Sequence, residues 1–370
     1  MYGYYFFFGR GDWGMSRDGS FDPTFGGNVP TRLLGDWGTH RQGTLLADAP
    51  EWTSAWDYST WTRRIDFLVD RLEADTLLLL MNGYELPYPS ERFPEAVERD
   101  HANVREEFLQ SALDYACRRG LRPYVQFCTT GHAVAYATEH PECTTVAEDG
   151  TRHATNLCHH HPLGRAYARG VMEEVLTRYH GFRGVSFHPP ENAVPCYCSY
   201  CRTAFESATG TAFDHASPKA IMDFYWRSCL AFQHELEQAA QAYLPAAQVL
   251  AITIPGRFEE DFAVIAPEIP LSTLIMHWDY WSFGESIPEL ETSLRTYRSR
   301  GHRVGFIPSS GWNLDKCGAE YGRQVIEQIT RVRAMGIDDL CYFVGGIWNE
   351  ATLLATSWKG RNTDLNNLKD

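Results

Sequence analysis

No stretch of the chain approaches the about 18 uninterrupted apolar residues that a membrane-spanning helix requires. Positive charge is also in short supply. The 33 Lys and Arg against 47 Asp and Glu leave a formal net charge of −14, which disfavours a nucleic-acid backbone or an anionic membrane as the main partner. Neutral and cationic ligands stay open. No basic segment precedes Tyr4-Tyr5-Phe6-Phe7-Phe8, and Gly9-Arg10-Gly11-Asp12 ends that run early, so it reads as a strand rather than a signal peptide. A soluble, cytoplasmic protein is expected. No internal repeat, linker or low-complexity stretch divides the chain, so residues 1–370 are expected to form one domain. The ten cysteines are not set in a short loop-rich frame, and in a cytosolic chain they would stay reduced.

What is abundant is aromatic. Hydrophobic residues make up 44% and aromatic residues 14%, with 11 Trp and 19 Tyr, a richness that suits a cleft holding the apolar faces of a polar ligand such as a sugar. Short apolar runs rich in β-branched and aromatic residues recur along the chain: Tyr2 to Phe8, Thr76 to Met81, Arg122 to Cys128, Gly184 to His188, Gln248 to Ile254, Thr273 to Trp278, Arg303 to Ile307 and Leu340 to Val344. Helical stripes lie between them, such as Trp61, Ile65, Leu68, Leu72 and Tyr167, Val171, Val175, Tyr179. Strands joined by crossover helices must run parallel, and eight such units close most naturally into a (β/α)8 TIM barrel, an α/β fold, here with long loops after strands one and four. An open doubly wound sheet would need a glycine-rich turn leading straight into a helix. Gly9, Gly11 and Gly14 are followed instead by a long segment rich in Gly, Pro and Thr.

In a barrel of this kind the active site lies at the carboxyl ends of the strands. The residues expected there are Arg10, Asp12 and Trp13 after strand one; Asn82, Tyr84 and Glu85 after two; His132 after three; and His188, Glu191 and Asn192 after four. Strand six adds His277, Asp279, Tyr280 and Trp281, strand seven Ser309, Ser310, Trp312 and Asn313, and strand eight Trp348, Asn349 and Glu350. For substrate binding, Arg10, Asp12, Trp13, Glu85, His188, Asn192, His277, Trp281, Trp312 and Trp348 are the candidates.

Cys196-Tyr197-Cys198-Ser199-Tyr200-Cys201 bunches three thiols just after strand four. Tetrahedral zinc wants four ligands, so the C-x-C-x2-C spacing leaves the fourth to a distant residue. Together with Cys158, the pattern resembles the zinc loop of glycoside hydrolase family 42 β-galactosidases and their barrel relatives, in which a Cys before the third helix joins a C-x-C-x2-C after strand four. The likeness runs from about His140 to Phe232 and takes in Asn156-Leu157-Cys158, Arg165, Tyr167, Cys201-Arg202-Thr203-Ala204-Phe205 and Asp223-Phe224-Tyr225-Trp226. It implies a structural zinc ion, Zn2+, held by Cys158, Cys196, Cys198 and Cys201, and a carbohydrate substrate. The sequence also departs from the family. The family's acid/base glutamate follows an asparagine, whereas here Pro189-Pro190-Glu191-Asn192 reverses that order; and where the family's nucleophile ends strand seven, this chain has Ser309, Ser310 and Gly311.

Glycosidic bonds are cleaved between two carboxyl groups, one protonating the leaving oxygen and the other attacking, or activating water at, the oxocarbenium-like centre. Glu191, presented by two prolines beside His188 and Asn192, is the candidate acid. Asp279, set among Trp278, Tyr280 and Trp281, is preferred over Glu350 as its partner. A solvated Glu191, or an Asp279 tied to an arginine, is the plainer alternative for each. His159-His160-His161 is read as splayed rings rather than a shared metal site, and Cys117, Cys128, Cys143, Cys229, Cys317 and Cys341 as buried or incidental thiols. Strand one lacks the His-x-His of metal-dependent amidohydrolase barrels. The leading expectation is a glycoside hydrolase, with a non-catalytic carbohydrate-binding barrel as the alternative and a homo-oligomer left open.

Overall fold

The computed structural model describes residues 1–7, 51–52, 57–82, 85–97, 108–188, 195–253, 269–280, 282–308, 319–345, 347–348 and 350–359. In chain order the strands are β1 (Tyr2–Phe7), β2 (Glu51–Trp52), β3 (Thr76–Leu80), β4 (Arg122–Cys128), β5 (Thr144–Val146), β6 (Arg152–Leu157), β7 (Gly184–His188), β8 (Gln248–Thr253), β9 (Leu274–Trp278), β10 (Arg303–Ile307), β11 (Leu340–Gly345) and β12 (Ile347–Trp348). Eight of them close into a barrel in the order β1-β11-β10-β9-β8-β7-β4-β3, and every pairing around it is parallel. These are the eight strands expected from the sequence. The fold is an α/β (β/α)8 barrel.

The strands were legible because a parallel barrel strand is covered on both faces and so reads as an almost continuous apolar run. Thr76–Leu80 is buried at every position. Alternate side chains then divide between two cores. Leu78, Leu80, Tyr124, Leu250, Met276 and Phe343 fill the barrel interior, while Leu77, Leu79, Val125, Phe187, Ile275 and Phe306 face the helices. Two hydrogen bonds cross the interior, Tyr124 Oη donating to Gln248 Oε1 at 3.0 Å and Gln126 Nε2 to Ser186 Oγ at 3.1 Å. Gly184 is required by close approach rather than by backbone angle, since a Cβ there would lie 2.3 Å from the Tyr124 ring.

The helices are α1 (Tyr58–Asp70), α2 (Phe108–Arg118), α3 (Val134–Glu139), α4 (Pro162–Arg178), α5 (Ser199–Thr209), α6 (Pro218–Tyr243), α7 (Ile287–Ser299), α8 (Ala319–Ala334) and α9 (Glu350–Thr356). Asp57 caps α1 by accepting from Thr60 N at 2.7 Å, and the expected stripe of Trp61, Ile65 and Leu68 is buried. Val325, Ile329 and Val332 bury the inner face of α8, and Gly336, at φ +76°, lets the chain leave its carboxyl end. None of the described helices is long and apolar enough to cross a membrane.

The amino-terminal end of the barrel is closed by charge. Asp339 accepts from the Met1 ammonium at 2.8 Å and from Arg303, and Asp75 accepts from Tyr2 N at 2.9 Å and from Arg122 at 2.8 Å. That end reads as scaffold, and the opposite end carries the loops. Two small antiparallel pairs lie outside the barrel, β2 with β12 and β5 with β6. The second builds the cysteine cluster.

Candidate functional site

Cys158 follows β6, whose partner β5 is also fastened to the loop after β7: Tyr197 N donates to Val146 O at 2.7 Å. Cys158 N donates to Cys143 O at 2.8 Å, which fixes the first ligand position from the other side. Cys198 is the N-cap of α5, and Cys201 lies in its first turn. These ties bring Cys158, Cys196, Cys198 and Cys201 together, with all four Sγ atoms within 4.8 Å of one another. The Cys158 Sγ lies 3.6 Å from that of Cys198 and 3.4 Å from that of Cys201. No disulfide joins them. A tetrahedron with metal–sulfur bonds of about 2.3 Å has sulfur–sulfur edges of about 3.8 Å, so the set fits a four-coordinate thiophilic ion.

The surroundings favour thiolate. The start of α5 supplies the positive end of a helix dipole, and Val146 N donates to Cys196 Sγ at 3.3 Å. Hydrogen bonds from Cys158, Cys196 and Cys201 pull the Cys198 thiol far below its ordinary range, and the same packing pushes Cys201 up. The four thiols thus form one strongly interacting cluster. It can hold a metal ion.

Each neighbouring histidine has its own partners, although the rings of His159 and His160 also meet at 4.5 Å between centroids. The His159 ring meets Ser228 Oγ at 2.7 Å, His160 stacks on Phe224, and His161 accepts from Leu163 N at the start of α4 and meets the edge of Tyr200.

At the mouth, period-two alternation decides which candidates face inward. His188, the last residue of β7, is 2% exposed, and its ring meets Trp278 of β9 edge-on at 5.3 Å between centroids. Trp278 and Tyr280 belong to the interior cluster with Phe343. His277 falls between inward positions and so faces outward, against Tyr297 of α7 at 5.5 Å. Burial pushes its imidazole down to about 4, an effect the nearby Asp279 carboxylate opposes. Asp279 is buried behind the same strand end, where it accepts from Ser282 N at 2.9 Å and from Ser282 Oγ, closing the turn that leads towards α7. Glu350 opens α9 and is paired with Arg64, midway along α1 in the outer layer. The carboxylates of Asp279 and Glu350 are thus both held by neighbouring side chains.

Glu85 is half-buried on the segment after β3, and Trp348 lies in β12 paired with Glu51. Arg10, Asp12, Trp13, Glu191, Asn192, Trp281 and Trp312 lie outside the described residues.

One grouping escaped the sequence reading. Cys128, His132 and His188 place one sulfur and two imidazole nitrogens within 4.8 Å of one another at the carboxyl ends of β4 and β7. The signal was present as Cys128-x3-His132, with Cys128 directly opposite His188 in the register of the two strands. Read singly, Cys128 looked incidental.

No known family profile matches the sequence, and no curated protein matches it. Solved structures do match. Alpha-L-fucosidase isoenzyme 2 from Paenibacillus thiaminolyticus is 13% identical with a TM-score of 0.59, over 81% of this chain and 46% of that one. The beta-galactosidase of the Antarctic haloarchaeon Halorubrum lacusprofundi is 15% identical with a TM-score of 0.59, over 84% and 57%. A GH20 exo beta-N-acetylglucosaminidase from Vibrio harveyi is 12% identical with a TM-score of 0.51, over 84% and 55%. At these identities the likeness is one of fold, and this chain spans about half the length of each neighbour. All three neighbours are glycoside hydrolases by name. They extend well beyond β-galactosidases, so the likeness is to glycoside hydrolase barrels broadly and does not single out family 42.

Proposed function

We propose that this chain is a glycoside hydrolase barrel that takes a glycoside or oligosaccharide at the carboxyl ends of its strands, with one structural zinc ion held by Cys158, Cys196, Cys198 and Cys201. The observation that carries the reading is the convergence of those four cysteines, the set implied by the resemblance to the family 42 zinc loop. Four sulfur ligands leave no position for water, so the ion orders the loop after β7 and takes no part in chemistry. That loop leads out of His188 and contains Glu191, the proposed general acid. The high aromatic content of the chain, 14% of residues, suits a cleft that takes the apolar faces of a sugar. The barrel fold shared with a fucosidase, a galactosidase and a glucosaminidase supports the same class of substrate.

A second reading, a barrel that binds carbohydrate without cleaving it, draws on a specific observation. Both candidates for the partner carboxylate are held by neighbours, Asp279 by Ser282 and Glu350 by Arg64. A panel of chromogenic aryl glycosides run beside a thermal-shift screen of free sugars separates the two. Turnover supports the enzyme, and Glu191→Gln should then slow substrates with poor leaving groups by about 10²-fold or more while sparing activated aryl glycosides. Sugar binding without turnover supports the second reading. Neither binding nor turnover would overturn both.

A further inference from the structure

We propose that Cys128, His132 and His188 form a second metal site, at the mouth of the barrel, which takes one divalent transition-metal ion and leaves a coordination position open to the cleft. The proposal stands apart from the glycosidase reading and from the four-cysteine cluster. Three donors of the right kind already converge, one sulfur and two imidazole nitrogens, all within 4.8 Å of one another. Cys128 and His188 end adjacent parallel strands, directly opposite in register, and both are 2% exposed. His132 comes from the loop four residues beyond Cys128 and faces His188 at 5.6 Å between ring centroids, with the planes at 74°.

The protein holds this arrangement from several sides. The Asn82 side chain grips the Cys128 backbone at both ends, Nδ2 donating to Cys128 O at 3.0 Å and Oδ1 accepting from Cys128 N at 2.7 Å. Thr129 donates through both its backbone N–H and its hydroxyl to His188 O, each at 3.3 Å, which ties the two strand ends together. Thr130 O accepts from Leu157 N at 2.7 Å, and Ala133 N donates to Thr155 O at 3.1 Å, so β6 clamps the loop on either side of His132. His132 itself sits at φ +60°, a left-handed conformation that is unfavourable for a non-glycine residue and persists only where the surroundings impose it. Here it carries the imidazole to a ring already in place.

A thiolate with two imidazoles is a borderline-soft donor set that selects zinc and neighbouring late transition ions over calcium or magnesium. Binding converts the Cys128 thiol to a thiolate, and its proton leaves to solvent. Three protein ligands leave a fourth tetrahedral position for water or a ligand oxygen, unlike the closed four-sulfur set.

The test is metal stoichiometry on the full chain, by elemental analysis as isolated and by zinc titration after chelation, with cobalt absorbance as a second readout. Wild type should bind two ions, and Cys198→Ser, His188→Ala and His132→Ala one each. His132→Ala is decisive because the loop position is only half-buried and the variant should fold, losing affinity for one ion by more than about 100-fold. Its cobalt spectrum should keep the charge-transfer bands of the four-thiolate ion and lose those of the second. A Cys198→Ser variant that binds no ion, or a His132→Ala whose stoichiometry and cobalt spectrum match wild type, would overturn the proposal.

Discussion

Four sulfurs on the flank of the barrel and one sulfur at its mouth present the same donor atom in opposite settings. On the flank, Cys158, Cys196, Cys198 and Cys201 face only one another, and the strands and helix around them exist to bring them together. At the mouth, Cys128 is accompanied by two imidazoles and an indole. The first set is complete, so an ion there stabilises; the second is incomplete, so whatever it holds can also meet a ligand. The two are joined by β6, which clamps the His132 loop along its length and delivers Cys158 at its end. The flank is thus placed to stiffen the mouth without entering it.

The largest expected effect falls on the flank. Cys198→Ser should abolish stoichiometric zinc there and lower stability by about 4 kcal/mol or more, read as metal content and melting temperature together. A metal-free wild type of equal stability would remove the flank's side of the comparison altogether.

Behind the mouth, His277 gives a pH signature. Its folded pKa of about 4 lies below the ordinary value of 6.5, so between those pH values the unfolded chain binds a proton that the folded chain refuses. Stability should be complete above about pH 6.5 and decline by about 3 kcal/mol as pH falls toward 4. His277→Phe should flatten that decline in urea titrations at pH 7 and pH 5. An unchanged slope would mean that His277 is not held neutral.

Asn82→Ala sharpens the mouth. It strips partners from the buried N–H and carbonyl of Cys128 and should cost about 2 kcal/mol, while the flank keeps its zinc. Loss of flank zinc in this variant would show that the two regions are not separable. Glu350→Gln is the smallest test. Its pair with Arg64 is partly exposed, so stability should change by less than about 1 kcal/mol. A large loss of glycoside turnover at unchanged stability would instead make Glu350 the partner carboxylate.

The barrel was legible because burial on both faces leaves a composition that sequence alone displays, and Leu77 to Leu80 needs no partner to be recognised as a strand. The cysteine set was legible because its spacing is local except for Cys158, which the family resemblance supplied. Facing was not. His277 and Trp278 are neighbours in sequence, and only the register of β9 decides that the indole fills the barrel while the imidazole faces α7. Nor could spacing show that Cys128 and His188, sixty positions apart, end adjacent strands at the same level.

The most direct measurement of the central claim is a crystal structure with a bound oligosaccharide. The account predicts a sugar ring at the carboxyl ends of β4, β7 and β9, against His188 and Trp278, with the four-cysteine cluster carrying its ion and touching no sugar. A sugar bound on the outer surface of the barrel, or no sugar at saturating concentration, would contradict it.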